Sequence, residues 1–450
     1  MAISQQQPLA LGTEKVGKLL RQYSFPAIIA MTAASLYNIT DSIFIGHGVG
    51  PLAISALAIT FPLMNLSAAF GALIGIGSSN LLSIRLGQKN YASANLILGN
   101  VLILNVIVGV LFSLITLPFL GPILTFFGAS SQTLSHAHNY MMIILLGNVI
   151  THLYMGLNSL LRACGNPEKA MYSTIATVII NVILNALFVF GFGWGIRGSA
   201  TATVISQLIL LIWQIKFFSN KSYFIHFKKD TLRLKWRIVI DTISVGSASF
   251  FMNAAACFIV ILINHGLLKY GGDLAVGAYG IVNRVIFLFA MIVFGVNQGM
   301  QPIAGYNFGA QQFDRVTKVL KIAMFWATVI MTTGFVFVEL FPDAVASIFT
   351  TDTQLRALAS NGLRITFACA PIIGIQMVIS TFFQSIGYAG KAIVLSLTRQ
   401  LLFLVPLLLI FPIFFGVDGI WWSLPTSDFI ASITAILMIS WQFKKFKKMK

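Results

Sequence analysis

The chain has 450 residues, of which 57% are hydrophobic and only 9% charged, and its mean hydropathy is +0.88. Soluble domains carry roughly 25% charged residues, so this composition excludes a protein with a fully water-exposed surface. The net charge of +17 is concentrated at both chain ends and in a central segment near residues 216–237, without an accompanying nucleic-acid-binding pattern. We therefore expect a lipid bilayer, and no nucleic acid, as the macromolecular partner.

Long apolar runs predict membrane-spanning helices, because about 20 apolar residues cross a hydrocarbon core about 30 Å thick. In the first half they lie near residues 23–46, 52–82, 95–120, 137–162, 168–192 and 198–218. In the second half they lie near residues 239–268, 274–305, 318–342, 360–386, 391–414 and 420–443. The runs lack the polar alternation of an outer-membrane barrel. The predicted fold class is thus an all-α polytopic membrane protein with twelve transmembrane helices.

An internal repeat relates the two halves. GPLAISALAI at 50–59 matches GDLAVGAYGI at 272–281, and LLRACGNPEKA at 160–170 matches FFQSIGYAGKA at 382–392, both at a numbering offset of 222. A shift of the offset to 221 then pairs Gly195 with Gly416. We therefore predict two pseudo-symmetric six-helix bundles, which suits alternating access. The predicted domains are an N-terminal lobe (1–218), a cytoplasmic basic linker (219–237) and a C-terminal lobe with a basic tail (238–450).

The positions of the basic residues predict the orientation. On this map 23 of the 29 Lys and Arg residues fall on one side of the membrane and four on the other. Because cytoplasmic loops carry the excess of Lys and Arg, both termini are expected to be cytoplasmic. The predicted location is the plasma membrane, the inner membrane of a bacterium, with several passes. We expect the protein to be a monomer.

The first span carries a rare intramembrane acidic residue, Asp41, with Tyr37 and Asn38 on the same helical face. A charge at this depth is costly, so such a residue indicates a functional site. Loss of water favours the protonated acid, whereas a bound cation favours the carboxylate. Asp41 could instead lie near the end of its span and merely cap or snorkel.

Further polar side chains on the fifth and sixth spans could converge on one site. Asn181 and Asn185 lie four residues apart and so share a face, and Thr203 and Gln207 follow on the sixth span. Amide and hydroxyl oxygens suit a hard cation such as Na⁺. Hydrogen bonding between helices explains the same residues equally well.

Three charged residues at comparable depth belong to the second half: Arg284, Arg399 and Asp428. They could meet in the bundle interior, since opposite charges make buried arginines tolerable. Whether such an ion pair locks the structure or responds to substrate stays open.

Several catalytic and energy-coupling motifs are missing from the sequence. GYAGKA at 387–392 lacks the spacing and the Ser or Thr of a nucleotide-binding P-loop, and the six histidines form no HExxH or ligand cluster. We therefore expect neither an enzyme nor a bound cofactor. A channel is disfavoured as well, since no filter segment is evident.

Three sequence motifs, in this order along the chain, indicate a family resemblance: YNITDSIFIGHGVGPLAISALAI at 37–59, RACGNPEKAM at 162–171 and GVNQGMQPIAGYNFGA at 295–310. The chain resembles the multidrug and toxic compound extrusion (MATE) transporters, and among them the MepA-like and DinF-like group. The resemblance covers about residues 15–443. It implies two six-helix lobes around a cleft and export of amphipathic, often cationic, small organic compounds in exchange for Na⁺ or H⁺.

The resemblance also assigns residues. Asp41 matches the family's cation-coupling aspartate, and Asn181, Asn185 and Thr203 match the other positions of the N-lobe cation site, a candidate Na⁺ site. The family has an acidic residue where this chain has Asn185, so one negative charge is missing and the coupling ion, Na⁺ or H⁺, stays open. Tyr37, Asn38, Gln207, Arg284, Arg399 and Asp428 are the candidates for lining the substrate cleft. The alternative function is a flippase for lipid-linked saccharides of the same superfamily.

Overall fold

The computed structural model describes residues 10–448, apart from the side chains of residues 36–39, 43, 46, 51, 229 and 273. Within that part the chain forms helices joined by short connections, and no β-strand occurs there. The predicted all-α class is therefore confirmed.

The helices of the first half are α1 Val16–Gly48, α2 Pro51–Gly87, α3 Tyr91–Thr116, α4 Leu120–Phe126, α5 Leu134–Leu146, α6 Asn148–Ala163, α7 Pro167–Asn185 and α8 Gly195–Ser219. Those of the second half are α9 Trp236–Gly309, α10 Phe313–Leu340, α11 Pro342–Ser347, α12 Thr353–Phe367, α13 Ala370–Ser385, α14 Ala389–Leu397 and α15 Val405–Lys448. Between residues 10 and 448 two π-helical segments occur, Ala186–Gly191 directly after α7 and Thr398–Leu404 between α14 and α15.

Twelve crossings fit these helices. Among the described residues, eight stretches are long and apolar enough to span a membrane, and two pairs, α5 with α6 and α12 with α13, form spans bent by 55°. One of the eight, Ala389–Lys448, has 60 residues and would measure about 90 Å, enough for two crossings, and Gly416 interrupts it with non-helical backbone. The long helix α1 supplies the remaining span. The predicted twelve-helix fold is confirmed, and the spans predicted near residues 137–162 and 360–386 prove to be bent.

Backbone geometry repeats the internal duplication. Of the ten described residues with positive φ, eight occur in pairs at these offsets; among the glycines the pairs are Gly50 with Gly272 and Gly165 with Gly387 at 222, and Gly195 with Gly416 at 221. Lys89 and Gln311, the two described non-glycine residues with positive φ, again pair at the offset of 222. Since a left-handed residue ends a helix at a defined point, the two halves break their helices at equivalent places.

The chain divides into two compact units. The first contains Met1–Glu14 and Ile29–Phe250, and the second contains Lys15–Ile28 and Phe251–Lys450. In the first unit the central basic segment packs on α3: Asn100 Nδ2 donates to the Arg233 carbonyl at 3.1 Å, and Asn100 Oδ1 accepts from the Lys235 backbone N–H at 3.0 Å. A Cβ atom on Gly99 would lie 2.0 Å from the Thr231 carbonyl oxygen, so only glycine permits this approach. The domain boundaries from the sequence remain a prediction.

In each half a lysine at the start of the fifth span is held by aromatic side chains. Lys169 Nζ donates to the Tyr223 hydroxyl at 2.8 Å and lies 4.3 Å from the centre of the Phe217 ring. Its counterpart in the internal repeat, Lys391, donates to Gln442 Oε1 at 2.6 Å. The rings around Lys391 Nζ, between 4.5 and 5.1 Å away, are those of Trp441, Tyr388 and Phe383. We refer to these two arrangements as the lysine cages.

A hydrophobic core in the first unit holds α1 against α8. Ile45, one turn after Asp41, and Ala200, the neighbour of Ser199, are both fully buried in the same cluster. At the break between α5 and α6, a Cβ atom on Gly147 would lie 2.4 Å from Val204 Cγ2, so glycine allows the bent span to approach α8 closely. This packing positions the polar groups of α1, α7 and α8 described next.

Candidate functional site

Asp41 lies inside the first unit, with only 6% of its surface exposed. Its carboxylate Oδ1 accepts a 2.6 Å hydrogen bond from Asn185 Nδ2 and a second hydrogen bond from Ser199 Oγ. In the described part of the chain the carboxylate has no cationic partner. A buried carboxylate held by neutral donors alone keeps an uncompensated charge, which a proton or a small cation can neutralise.

The hydrogen bonds continue from Asp41 across α7 and α8. Asn185 Nδ2 also donates to Asn181 Oδ1 at 3.2 Å, and Asn181 Nδ2 donates to Thr203 Oγ1 at 3.3 Å. Thr203 Oγ1 in turn donates to the Ser199 carbonyl at 3.1 Å. The structure therefore brings together all four residues proposed for the cation site: Asp41, Asn181, Asn185 and Thr203.

One amide oxygen of this network, Asn185 Oδ1, has no hydrogen-bond partner among the described residues. Asn185 is fully buried, yet its Oδ1 accepts no hydrogen bond from any described residue. A buried acceptor without a donor costs free energy, and a bound cation would satisfy it. The oxygens of Asp41, Asn181, Asn185 and Thr203 are hard ligands of the kind that alkali cations use. Within the described residues no group of three or more His, Cys, Asp or Glu side chains could hold a metal, so a cation here would be held by the Asp41 carboxylate together with neutral amide and hydroxyl oxygens.

Ser199 is a member of the site that the sequence analysis missed. It is fully buried on α8, four residues before Thr203, and it donates directly to Asp41. The helical spacing to Thr203 is the signal that could have identified it, because residues four apart share one face.

Three further candidates were predicted in the first half. One of them lies beyond the hydrogen-bond network of Asp41, and the side chains of the other two are not described. The side chains of Tyr37 and Asn38 lie outside the described residues. Gln207 is one turn beyond Thr203 on α8, where its Oε1 accepts a 2.5 Å hydrogen bond from Thr151 of α6. Gln207 thus extends the polar face of α8 without reaching Asp41.

In the second unit Arg399 and Asp428 form an ion pair. Arg399 Nε donates to Asp428 Oδ1 at 2.6 Å, and Asp428 is 8% exposed. Arg399 belongs to the π-helical segment Thr398–Leu404, a type of helix distortion often found at functional sites. Arg284 on α9 is exposed and has no ion-pair partner in the described part of the chain, so the structure brings together two of these three charged residues.

Known proteins are similar to this chain in architecture and in sequence. The family model described as MatE matches residues 26–187 and 248–410, one segment in each half of the internal repeat. The chain is 26% identical to the multidrug export protein MepA of Staphylococcus haemolyticus (strain JCSC1435) over 94% of this chain and 93% of that protein. It is 27% identical to MepA of Staphylococcus aureus (strain NCTC 8325 / PS 47), with the same coverage.

Solved structures agree with the sequence comparisons. The MATE multidrug transporter DinF-BH in complex with rhodamine 6G is 34% identical, with a TM-score of 0.88 over 95% of this chain and 96% of that one. A MATE crystal structure in the bent conformation has a TM-score of 0.93 over 98% of both chains, at 23% identity, and shows the shared fold. The matched segments cover most of the chain and repeat at the spacing of its internal duplication. The chain belongs to the MatE family, the multidrug and toxic compound extrusion transporters.

Proposed function

We propose that this protein is a secondary active antiporter that exports amphipathic, often cationic compounds in exchange for Na⁺ or H⁺. The observation that carries the proposal is the buried carboxylate of Asp41, held by Asn185 and Ser199 without a positive partner among the described residues. Relatives named as multidrug export proteins and a 34% identical transporter solved with a rhodamine dye support the substrate class. The substrate is moved and not chemically converted.

The mechanism follows from the charge of Asp41. A proton or cation bound there satisfies the carboxylate and, in the case of a cation, the free Oδ1 of Asn185. The empty site leaves a buried negative charge, which favours a conformation that re-exposes the residue to water or to a cationic substrate. Because ion and substrate stabilise different conformations, ion entry drives substrate exit by alternating access.

The single carboxylate limits how the ion is held. With Asn at position 185, Asp41 alone offsets the charge of a bound ion, and the amide and hydroxyl oxygens of Asn181, Asn185, Ser199 and Thr203 complete its surroundings. This arrangement serves either a monovalent cation or a proton. We infer that the N-terminal lobe holds one such ion at a time.

The antiporter is favoured over the saccharide flippase. A flippase of lipid-linked sugars needs free basic groups for a pyrophosphate. Arg399 is already neutralised by Asp428 at 2.6 Å, which leaves Arg284 as the only one of the two candidate arginines without a partner in the described part of the chain. We propose a monomer in the plasma membrane, with both termini in the cytoplasm.

Reconstituted protein tests the proposal. Liposomes with an imposed Na⁺ gradient, and separately a pH gradient, should drive movement of a fluorescent organic cation, for which the rhodamine dye is the first choice. Asp41→Asn should abolish gradient-driven movement. Asp241→Asn is the matched control, because Asp241 lies in the same unit but pairs with Arg85 at 3.3 Å, away from the site. Gradient-driven dye movement in Asp41→Asn equal to that of the unmodified protein would refute the coupling role.

A further inference from the structure

A polar strip runs along α7 beyond the Asp41 site. Ser173, Thr177, Asn181 and Asn185 follow one another at intervals of four residues, so each lies beside the next and the row winds about a third of a turn round the helix. Twelve residues separate the first from the last, a distance of about 18 Å along the helix axis. The strip therefore extends from the ion site most of the way to Pro167, the helix start that the charge distribution predicts to be cytoplasmic.

Neighbouring helices cover this strip with further polar groups. Thr177 Oγ1 lies 3.0 Å from the Tyr154 hydroxyl of α6, within hydrogen-bond distance, and Gln214 Nε2 of α8 donates to Ser173 Oγ at 3.0 Å. Tyr154, Ser173 and Gln214 are 7%, 1% and 0% exposed. Thr177 is half-buried, so the strip is a largely buried row of oxygen atoms between α6, α7 and α8.

An amide oxygen at each end of the strip lacks a donor. At one end this is Asn185 Oδ1, beside Asp41, and at the other it is Gln214 Oε1, beside Ser173; neither accepts a hydrogen bond from a described residue. Hydrogen bonding between helices accounts for Ser173, Thr177 and Tyr154. It does not account for two buried acceptors left without donors, each of which costs free energy. A transient positive species would satisfy both.

We propose that this strip is the path by which the coupling ion leaves Asp41 toward the Pro167 end of α7, with Thr177, Tyr154, Ser173 and Gln214 as its intermediate ligands. The inference rests on the proposed function. Hydroxyl and amide oxygens can carry either a hydrated proton or Na⁺, so one path serves both candidate ions. Since these oxygens are neutral, each holds the ion weakly, as conduction requires.

Two variants remove oxygen from the path without touching Asp41. Thr177→Val replaces a hydroxyl by a methyl group of similar size, and Gln214→Leu removes the unpartnered amide oxygen. Thr177→Ser keeps the hydroxyl. Thr201→Val is the matched control, because Thr201 Oγ1 bonds the Arg197 carbonyl at 2.8 Å as Thr177 Oγ1 bonds that of Ser173 at 2.8 Å, but Thr201 lies off the strip.

Ion binding and transport are measured separately. Equilibrium binding of radiolabelled Na⁺, and proton uptake by a pH indicator, report on the Asp41 site in purified protein. Exchange of the rhodamine dye in liposomes under a Na⁺ or a pH gradient reports on the complete cycle. Thr177→Val and Gln214→Leu should bind the ion normally and exchange the dye about tenfold more slowly, since a lost hydrogen-bonding group changes a barrier by about that factor. Thr177→Ser and Thr201→Val should behave like the unmodified protein.

The outcomes separate the path from the function. If Thr177→Val exchanges the dye within about twofold of the unmodified rate while ion binding still depends on Asp41, the proposed path is wrong and the proposed function stands. Loss of binding and exchange in equal proportion in both Thr177→Val and Gln214→Leu would show a structural role and also overturn it. Binding and exchange that do not depend on Asp41 would instead refute the proposed function.

Discussion

Replacing Asn185 by Asp should strengthen ion binding at the site. In the unmodified protein Asn185 Nδ2 donates to Asp41 Oδ1 at 2.6 Å. The substitution exchanges this donor for an oxygen and places two carboxylates side by side. Both cannot remain charged without a counterion, so the pair should hold one proton or one cation more tightly than Asp41 alone.

The size of the effect follows from the distance between the charges. Two unit charges about 4 Å apart repel each other by about 4 kcal/mol at an effective dielectric constant near 20. Repacking and water entry relieve part of that energy. If a third of it is recovered on ion binding, the affinity for the coupling ion rises about tenfold, because about 1.4 kcal/mol corresponds to a factor of ten.

Thermal melting in detergent measures this change. Titrating Na⁺ against K⁺ at constant ionic strength, and pH at constant salt, should show ion-dependent stabilisation of Asn185→Asp at lower Na⁺ concentration or at higher pH than for the unmodified protein. The double variant Asp41→Asn with Asn185→Asp carries one carboxylate again and should return to an affinity near the original. A melting curve of Asn185→Asp with the same Na⁺ and pH response as the unmodified protein would contradict the reasoning.

Three further changes test other parts of the structure. Ser199→Ala removes a hydrogen bond to the carboxylate of Asp41 and should destabilise the charged carboxylate by about 1.5 to 3 kcal/mol. The expected result is slower dye exchange, and unchanged exchange would contradict a role for Ser199. Arg399→Ala leaves Asp428 buried without its partner and should lower stability by about 3 kcal/mol, whereas the double variant with Asp428→Ala should recover part of that loss in the same melting assay. Lys391→Met removes a cation–π contact and a hydrogen bond to Gln442 and should lower stability by about 1 to 3 kcal/mol; a melting temperature equal to that of the unmodified protein would show that this lysine cage contributes nothing.

Much of the fold could be predicted because hydropathy and repetition report on it directly. Twelve apolar runs and a numbering offset of 222 that shifts to 221 led to the architecture, and the paired glycines Gly195 and Gly416 mark equivalent helix breaks in the structure. The bends of the fourth and tenth spans were missed. Both arms of each bent span are apolar, and hydropathy carries no information about backbone direction.

The site was only partly accessible to sequence reasoning. The four-residue spacing predicted that Asn181 and Asn185 share a helical face, and the rare intramembrane charge of Asp41 predicted a functional site there. Ser199 was missed because it lies at the predicted beginning of its span, where a serine is ordinary. Opposite charge at similar depth predicted that Arg399 could meet Asp428, as it does in the structure, but depth alone could not separate Arg284 from that pair.

The internal duplication has a consequence for energetics. At the offsets of 222 and 221, the positions equivalent to the site residues in the second half are all apolar: Ile263, Phe403, Leu407, Ile420 and Leu424. Both halves contain a lysine cage, whereas the residues of the proposed ion site have apolar residues at the equivalent positions of the second half, so the proposed function places one coupling site in the first half. One monovalent ion entering against one monovalent organic cation leaving is electroneutral. Such a cycle would be driven by the concentration gradient of the ion and would continue in a cell whose membrane voltage has collapsed.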